Sequence, residues 1–144
     1  AFIFSGSFSG TTTWSQEAIL TGSDAYQYYY LGKSVASLGS ECVLVGNQDY
    51  SSSTGRVYIF CVNGNAWSQS TVLYACDATY NSYFGKSLTS IGPSMVAIGA
   101  YGVDKVYVYE YSIFRTWSQQ ATLTPSESNY QVYGWDVAGL STDR

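Results

Sequence analysis

The chain has 144 residues, 46% of them hydrophobic and 11% charged, with a formal net charge of -4 and no histidine. That length and apolar content support a buried core and exclude a disordered chain, and the six scattered basic residues give no footprint for nucleic acid. Without histidine the commonest general base and metal ligand are missing, which removes Ser/His/Asp catalysis, and no run approaches the roughly 18 apolar residues of a membrane helix.

Fifteen Tyr, four Trp and six Phe among abundant Ser, Thr and Gly favour strands and tight turns. The chain opens at Ala1 inside an apolar segment, with no signal-type leader, which suggests a processed chain or a piece of a longer one. Ala1-Phe2-Ile3-Phe4 is followed by a Ser/Gly/Thr linker and Trp14-Ser15-Gln16. The order recurs as Val57-Tyr58-Ile59-Phe60 before Trp67-Ser68-Gln69, and as Val106-Tyr107-Val108-Tyr109 before Trp117-Ser118-Gln119. Each Trp leads to an aligned leucine (Leu20, Leu73, Leu123), and a Tyr-rich loop then reaches an aligned glycine (Gly32, Gly85, Gly134). Beyond it, Gly32, Lys33, Ser34, Ser37, Gly39, Val43 and Gly46 recur as Gly85, Lys86, Ser87, Ser90, Gly92, Val96 and Gly99. A period near fifty residues means that each unit buries its faces against a copy of itself.

One unit reads as four short strands, in the middle copy near Trp67 to Tyr74, Lys86 to Ile91, Met95 to Gly99 and Lys105 to Tyr111. The fourth strand is apolar or aromatic on both faces, so both faces should be covered. The fold class that follows is all-β, with four-stranded antiparallel blades stacked face to face as an arc of a β-propeller. The divisions are residues 1–13 as the last strand of a preceding blade plus linker, 14–66 and 67–116 as full repeats, and 117–144 as the first half of a third. Propellers need about four to eight blades, so the chain is expected to be a fragment or a subunit completed by other chains.

If the third and fourth strands form a hairpin, pairing Met95 with Glu110 sets Ala100 opposite Lys105 across a four-residue turn. The same register sets Cys42 opposite Cys61 and Asn47 opposite Arg56, leaving four extra residues in a Ser-rich loop. A cross-strand disulfide between Cys42 and Cys61 is therefore expected, in an oxidising compartment, with Cys76 left over; the alternative is three unpaired buried thiols.

Trp-Ser-Gln-Gln-Ala-x-Leu-Thr, then Phe84-Gly85-x-Ser, then Ile98-Gly99-Ala100 and Gly-x-Val-Tyr resemble the FG-GAP repeat, the blade sequence of integrin-α-type β-propellers and related secreted repeat proteins. The resemblance covers nearly the whole chain and implies an extracellular propeller blade. Leu38-Gly39-Ser40-Glu41 and Ile91-Gly92-Pro93-Ser94 stand where many such repeats carry an Asp-rich calcium loop, and they lack its oxygen ligands, so the resemblance is to the calcium-free variety.

Gly32-Lys33-Ser34 and Gly85-Lys86-Ser87 match only the end of a phosphate-binding loop: Gln27 and Tyr80 replace the upstream glycine and no helix follows. The structural reading has Gly turning into the strand, Ser bonding a turn and Lys on the rim. Trp14, Trp67 and Trp117 are expected to pack between blades, with sugar stacking as the alternative. Tyr26, Tyr28, Tyr29, Tyr30, Tyr80, Tyr83 and Tyr130 are the candidate ligand or partner surface; covering blade edges is the other reading. Asp24, Asp77 and Glu127 align as one acid per unit, which turn formation explains better than a metal. Catalytic residues, metal ligands and cofactors are expected to be none. The functional reading is a non-enzymatic extracellular module for adhesion, scaffolding or assembly, whose partners are proteins or further repeats. The alternative is a glycan-binding, lectin-like propeller using the Tyr-rich loops.

Overall fold

The computed structural model describes residues 1–7, 10–11, 13–24, 30–127 and 132–140. Among these, β1 (Phe2–Ser7) and β2 (Thr13–Ile19) pair as a two-stranded antiparallel sheet. A four-stranded sheet runs in chain order through β3 (Ser34–Leu38), β4 (Cys42–Asn47), β5 (Arg56–Asn63) and β6 (Ala66–Leu73). The second repeats it with β7 (Ser87–Ser90), β8 (Met95–Ala100), β9 (Lys105–Tyr111) and β10 (Trp117–Leu123).

Alternation along β5 explains why the sheets stack. Val57 and Ile59 enter the core shared with the second sheet, where Phe84, Leu88, Val96, Ile98, Tyr107 and Tyr109 meet them. Tyr58 and Phe60, one residue along, enter the core on the β1–β2 side with Leu20, Val45 and Ile3. Successive strand residues point to opposite faces, so an unbroken apolar run fills two cores at once. Phe84 sits between the sheets, fully buried and edge-on to the rings of Tyr107 and Tyr109.

The hairpin register is the one that loop length predicts: Met95 opposes Glu110, Ala100 opposes Lys105, and Cys42 opposes Cys61. Cys42 and Cys61 form a disulfide. The extra residues occupy a helical turn, Tyr50–Ser53, with positive φ at Ser51 and Ser52. Sheet membership differs from the simplest reading of the repeat. The Trp-led strands β6 and β10 do not join the three strands that follow them in sequence; they pair with the last strand of the unit before, β5 and β9. A short hairpin makes that pairing local, whereas the long Tyr-rich loop after the Trp strand carries the chain to the next sheet.

All three strand pairs of this kind share one irregularity. The register slips between Ile3 and Phe4, between Ile59 and Phe60, and opposite Gln119 to Ala121, leaving Glu17, Ser70 and Gln120 unpaired. Each is the third residue after its Trp. A β-bulge re-aims the extra residue, and here it recurs at one position in every copy.

Candidate functional site

The functional feature the repeat builds is the junction between successive sheets. Ser34 Oγ donates to the Gly85 carbonyl at 2.5 Å, and Ser87 Oγ donates to the Gly134 carbonyl at 3.0 Å. The serine of each Gly-Lys-Ser thus latches onto the glycine of the next unit rather than bonding a turn, which corrects the sequence reading. Backbone approach explains it. At Gly46 and Gly99 a Cβ would collide with the serine hydroxyl and the neighbouring glycine carbonyl, while Gly85 and Gly134 hold φ of 87° and 83°. Lys33 pairs with Asp49 at 2.6 Å, and Lys86 lies over the Trp135 ring at 4.1 Å.

A second repeated device joins the aligned acids to the last strands. Asp24 accepts hydrogen bonds from Arg56 and from the Tyr58 hydroxyl, and Asp77 accepts from Lys105 at 2.5 Å and the Tyr107 hydroxyl at 2.8 Å. These carboxylates reach 28 residues or more along the chain, beyond the turn role expected for them. The Lys105 hydrogen bond holds the Asp77 carboxyl below the usual carboxylate range against the opposing effect of burial. At Asp24 burial acts to raise the value, and the Tyr58 hydroxyl and Arg56 charge outweigh it, so it too is lowered. Burial and the adjoining carboxylates push the Tyr58 and Tyr107 hydroxyls up, which keeps them protonated as donors. Glu127 is exposed. The paired signal, a basic residue, Val, then Tyr at Arg56 to Tyr58 and Lys105 to Tyr107, is present in the sequence and marks both donors.

Backbone bonds extend the junction into the loops. Asn81, Tyr83 and Phe84 donate their amides to the Ser52, Ser53 and Thr54 carbonyls at 3.2, 2.7 and 3.2 Å, and Gly55 bridges Phe84 in parallel. The Trp residues take different environments. Trp67 is half-buried against the Tyr58 and Phe60 core, and its Nε1 donates to Glu17 Oε1 of β2 at 2.8 Å. Trp117 packs against the core between the two larger sheets and beside Tyr111. Trp14 is exposed, with its ring over Gly6.

Of the Tyr-rich candidate surface, Tyr30 and Tyr80 are exposed, and the Lys33 ammonium sits over the Tyr30 ring at 4.7 Å. Tyr83 instead stacks on Tyr101, whose ring meets Trp135 edge-on. Tyr26, Tyr28, Tyr29 and Tyr130 lie outside the described residues. Cys76 is a free, exposed thiol. Among the described residues no cluster of three His, Cys, Asp or Glu is placed to hold a metal, and no helix is long and apolar enough to cross a membrane.

A search of curated proteins finds no match to this chain. Residues 14–60, which run from β2 into β5, match the family model of the FG-GAP repeat.

Proposed function

We propose that this chain is a non-enzymatic β-propeller repeat module, extracellular or at the cell surface, serving adhesion, scaffolding or assembly by stacking a sheet face on a blade of another chain or of a further repeat of the same protein. One observation carries the reading. On β1 and β2, Phe2, Phe4 and Ile19 are 60%, 56% and 62% exposed. The repeat equivalents of Phe2 and Phe4 on β5, Tyr58 and Phe60, are 0% and 2% exposed because the β1–β2 sheet covers them. The open face therefore has the composition of one that the fold elsewhere buries, and exposed apolar patches of this kind mark interaction sites. Its natural occupant is the face of a further sheet of the same type, since Val106 and Val108 on the opposite face of the second sheet are already buried, at 5% and 8% exposure. The disulfide supports an oxidising location.

The test is the mass of the chain in solution by light scattering. Association is expected, head to tail, and Phe2→Ser with Phe4→Ser should return the chain to a monomer. A monodisperse monomer at high concentration refutes the reading.

A further inference from the structure

The bulged residue does different work at the two junctions. At the first, Glu17 reaches from β2 to the next sheet and accepts the Trp67 indole N–H. At the second, the equivalent pair is Ser70 and Trp117, with a side chain too short to span the same gap. Among the described residues nothing takes Glu17's place as acceptor for the Trp117 indole. Ser70 and Trp117 instead border a cavity of about 360 Å³ between the sheets, with Leu38, Glu41, Ile59 and Tyr111, and the Cys42–Cys61 disulfide closes one wall. The two copies thus differ at the bulge, with an exposed Glu17 bonded to Trp67 in one and Ser70 bordering an open pocket beside Trp117 in the other.

We propose that this pocket binds a neutral monosaccharide ring. The inference is independent of the assembly reading. Its volume lies in the range of small-molecule sites, which pair an apolar lining with a few convergent polar groups. The Tyr111 and Trp117 rings lie 5.3 Å apart at 43°, forming an aromatic corner. A pyranose offers such rings a face of C–H bonds, whose positive edges suit the negative face of the π-system. Around the rim of the sugar, hydroxyls can act as both donors and acceptors. One hydroxyl oxygen accepts the Trp117 indole N–H as Glu17 does at Trp67, another donates to the Glu41 carboxylate, and Ser70 serves in either sense.

The same chemistry rejects competitors. Among the described residues lining the pocket Glu41 is the only charged one, so an anion inside it meets repulsion, and the cation Arg115 lies on the adjoining groove. Ser70, Tyr111 and Trp117 also border a larger groove of about 740 Å³ with Tyr74, Arg115 and Gln119, which gives further sugar units of an oligosaccharide a path outward. This places glycan recognition at the sheet junction rather than on the Tyr-rich loops.

The experiment titrates the full chain with methyl glycosides of glucose, galactose, mannose and N-acetylglucosamine, following the Trp indole N–H signals by NMR. At least one glycoside should shift the Trp117 indole saturably. Ser70→Glu gives the second junction the acceptor that Glu17 supplies at the first and should weaken that binding by roughly tenfold or more, the loss of a hydrogen-bonded site, with thermal stability unchanged or raised. Tyr111→Ala should weaken it as well. The proposal fails if no glycoside moves the Trp117 signal, if Ser70→Glu binds as tightly as the parent, or if the response maps to Tyr30 and Tyr80 and ignores Ser70→Glu.

Discussion

Replacing Gly46 by Ala tests whether close backbone approach holds the sheets together. Gly46 does not adopt a positive φ, so alanine meets no backbone strain there and the effect reports packing alone. The new methyl would lie well inside contact distance of Ser34 Oγ and of the Gly85 carbonyl oxygen, which Ser34 bonds at 2.5 Å, so both must give way. Overpacking of this kind costs about 1–3 kcal/mol. Losing the half-buried hydrogen bond adds about 1 kcal/mol, while the lower unfolded-state entropy of alanine returns roughly 0.5–1 kcal/mol. The balance is a loss of about 2 kcal/mol, or roughly 4–8 °C in Tm for a chain of this size. Ser34→Ala alone should cost about 1 kcal/mol, and the double variant should lose less than the sum, because removing the hydroxyl vacates part of the space the methyl needs. Urea unfolding of the four proteins reads both quantities. A Gly46→Ala variant within about 0.5 kcal/mol of the parent, or strict additivity in the cycle, refutes the latch.

Two further predictions concern acid and redox conditions. Because the folded values of Asp24 and Asp77 are lowered, their contribution is complete above the unfolded carboxylate value near about 3.9 and is lost as pH falls through the lower folded values. Asp77→Asn should therefore destabilise the chain at neutral pH and by progressively less between about pH 5 and pH 2; an equal penalty at both ends, measured by urea midpoint, rules out the charge role. Replacing Cys42 and Cys61 together by Ala opens a link of sequence separation 19 and should cost up to about 3 kcal/mol if loop entropy dominates. Thermal melts of the variant decide it, and no loss of Tm means that the β4–β5 ladder alone holds the register.

The register, the disulfide and the two-faced burial were legible because each depends on spacing within one hairpin or on alternation within one strand. Loop length alone set Cys42 opposite Cys61, and the apolar run Val57 to Phe60 announced two cores. The Ser34 and Asp77 partners were not legible in the same way. Ser34 bonds a carbonyl 51 residues away, and local pattern assigns such a residue to a turn, since nothing nearby signals that a neighbouring sheet supplies the acceptor. The pocket was hidden for a related reason. Glu17, Ser70 and Gln120 align in the sequence, but their common bulge appears only in the strand pairing, and without the bulge there is no cause to compare what each one faces.

The offset between sheet and repeat explains why the junction carries so much of the chemistry. Each Trp strand completes the preceding sheet, and the loop after it delivers the Gly-Lys-Ser segment to the next sheet, so one repeat is covalently shared between two layers. The latch from Ser34 to Gly85 and the reach of Glu17 to Trp67 then cross the interface from opposite directions along the chain. A sheet built this way has no separate interface residues to vary without touching its own strands. The bulged position is the exception: it is unpaired in the ladder, points across the gap, and can change from Glu17 to Ser70 while the register on either side stays the same. That freedom makes the bulge the place where a repeat that is otherwise committed to packing can acquire a ligand.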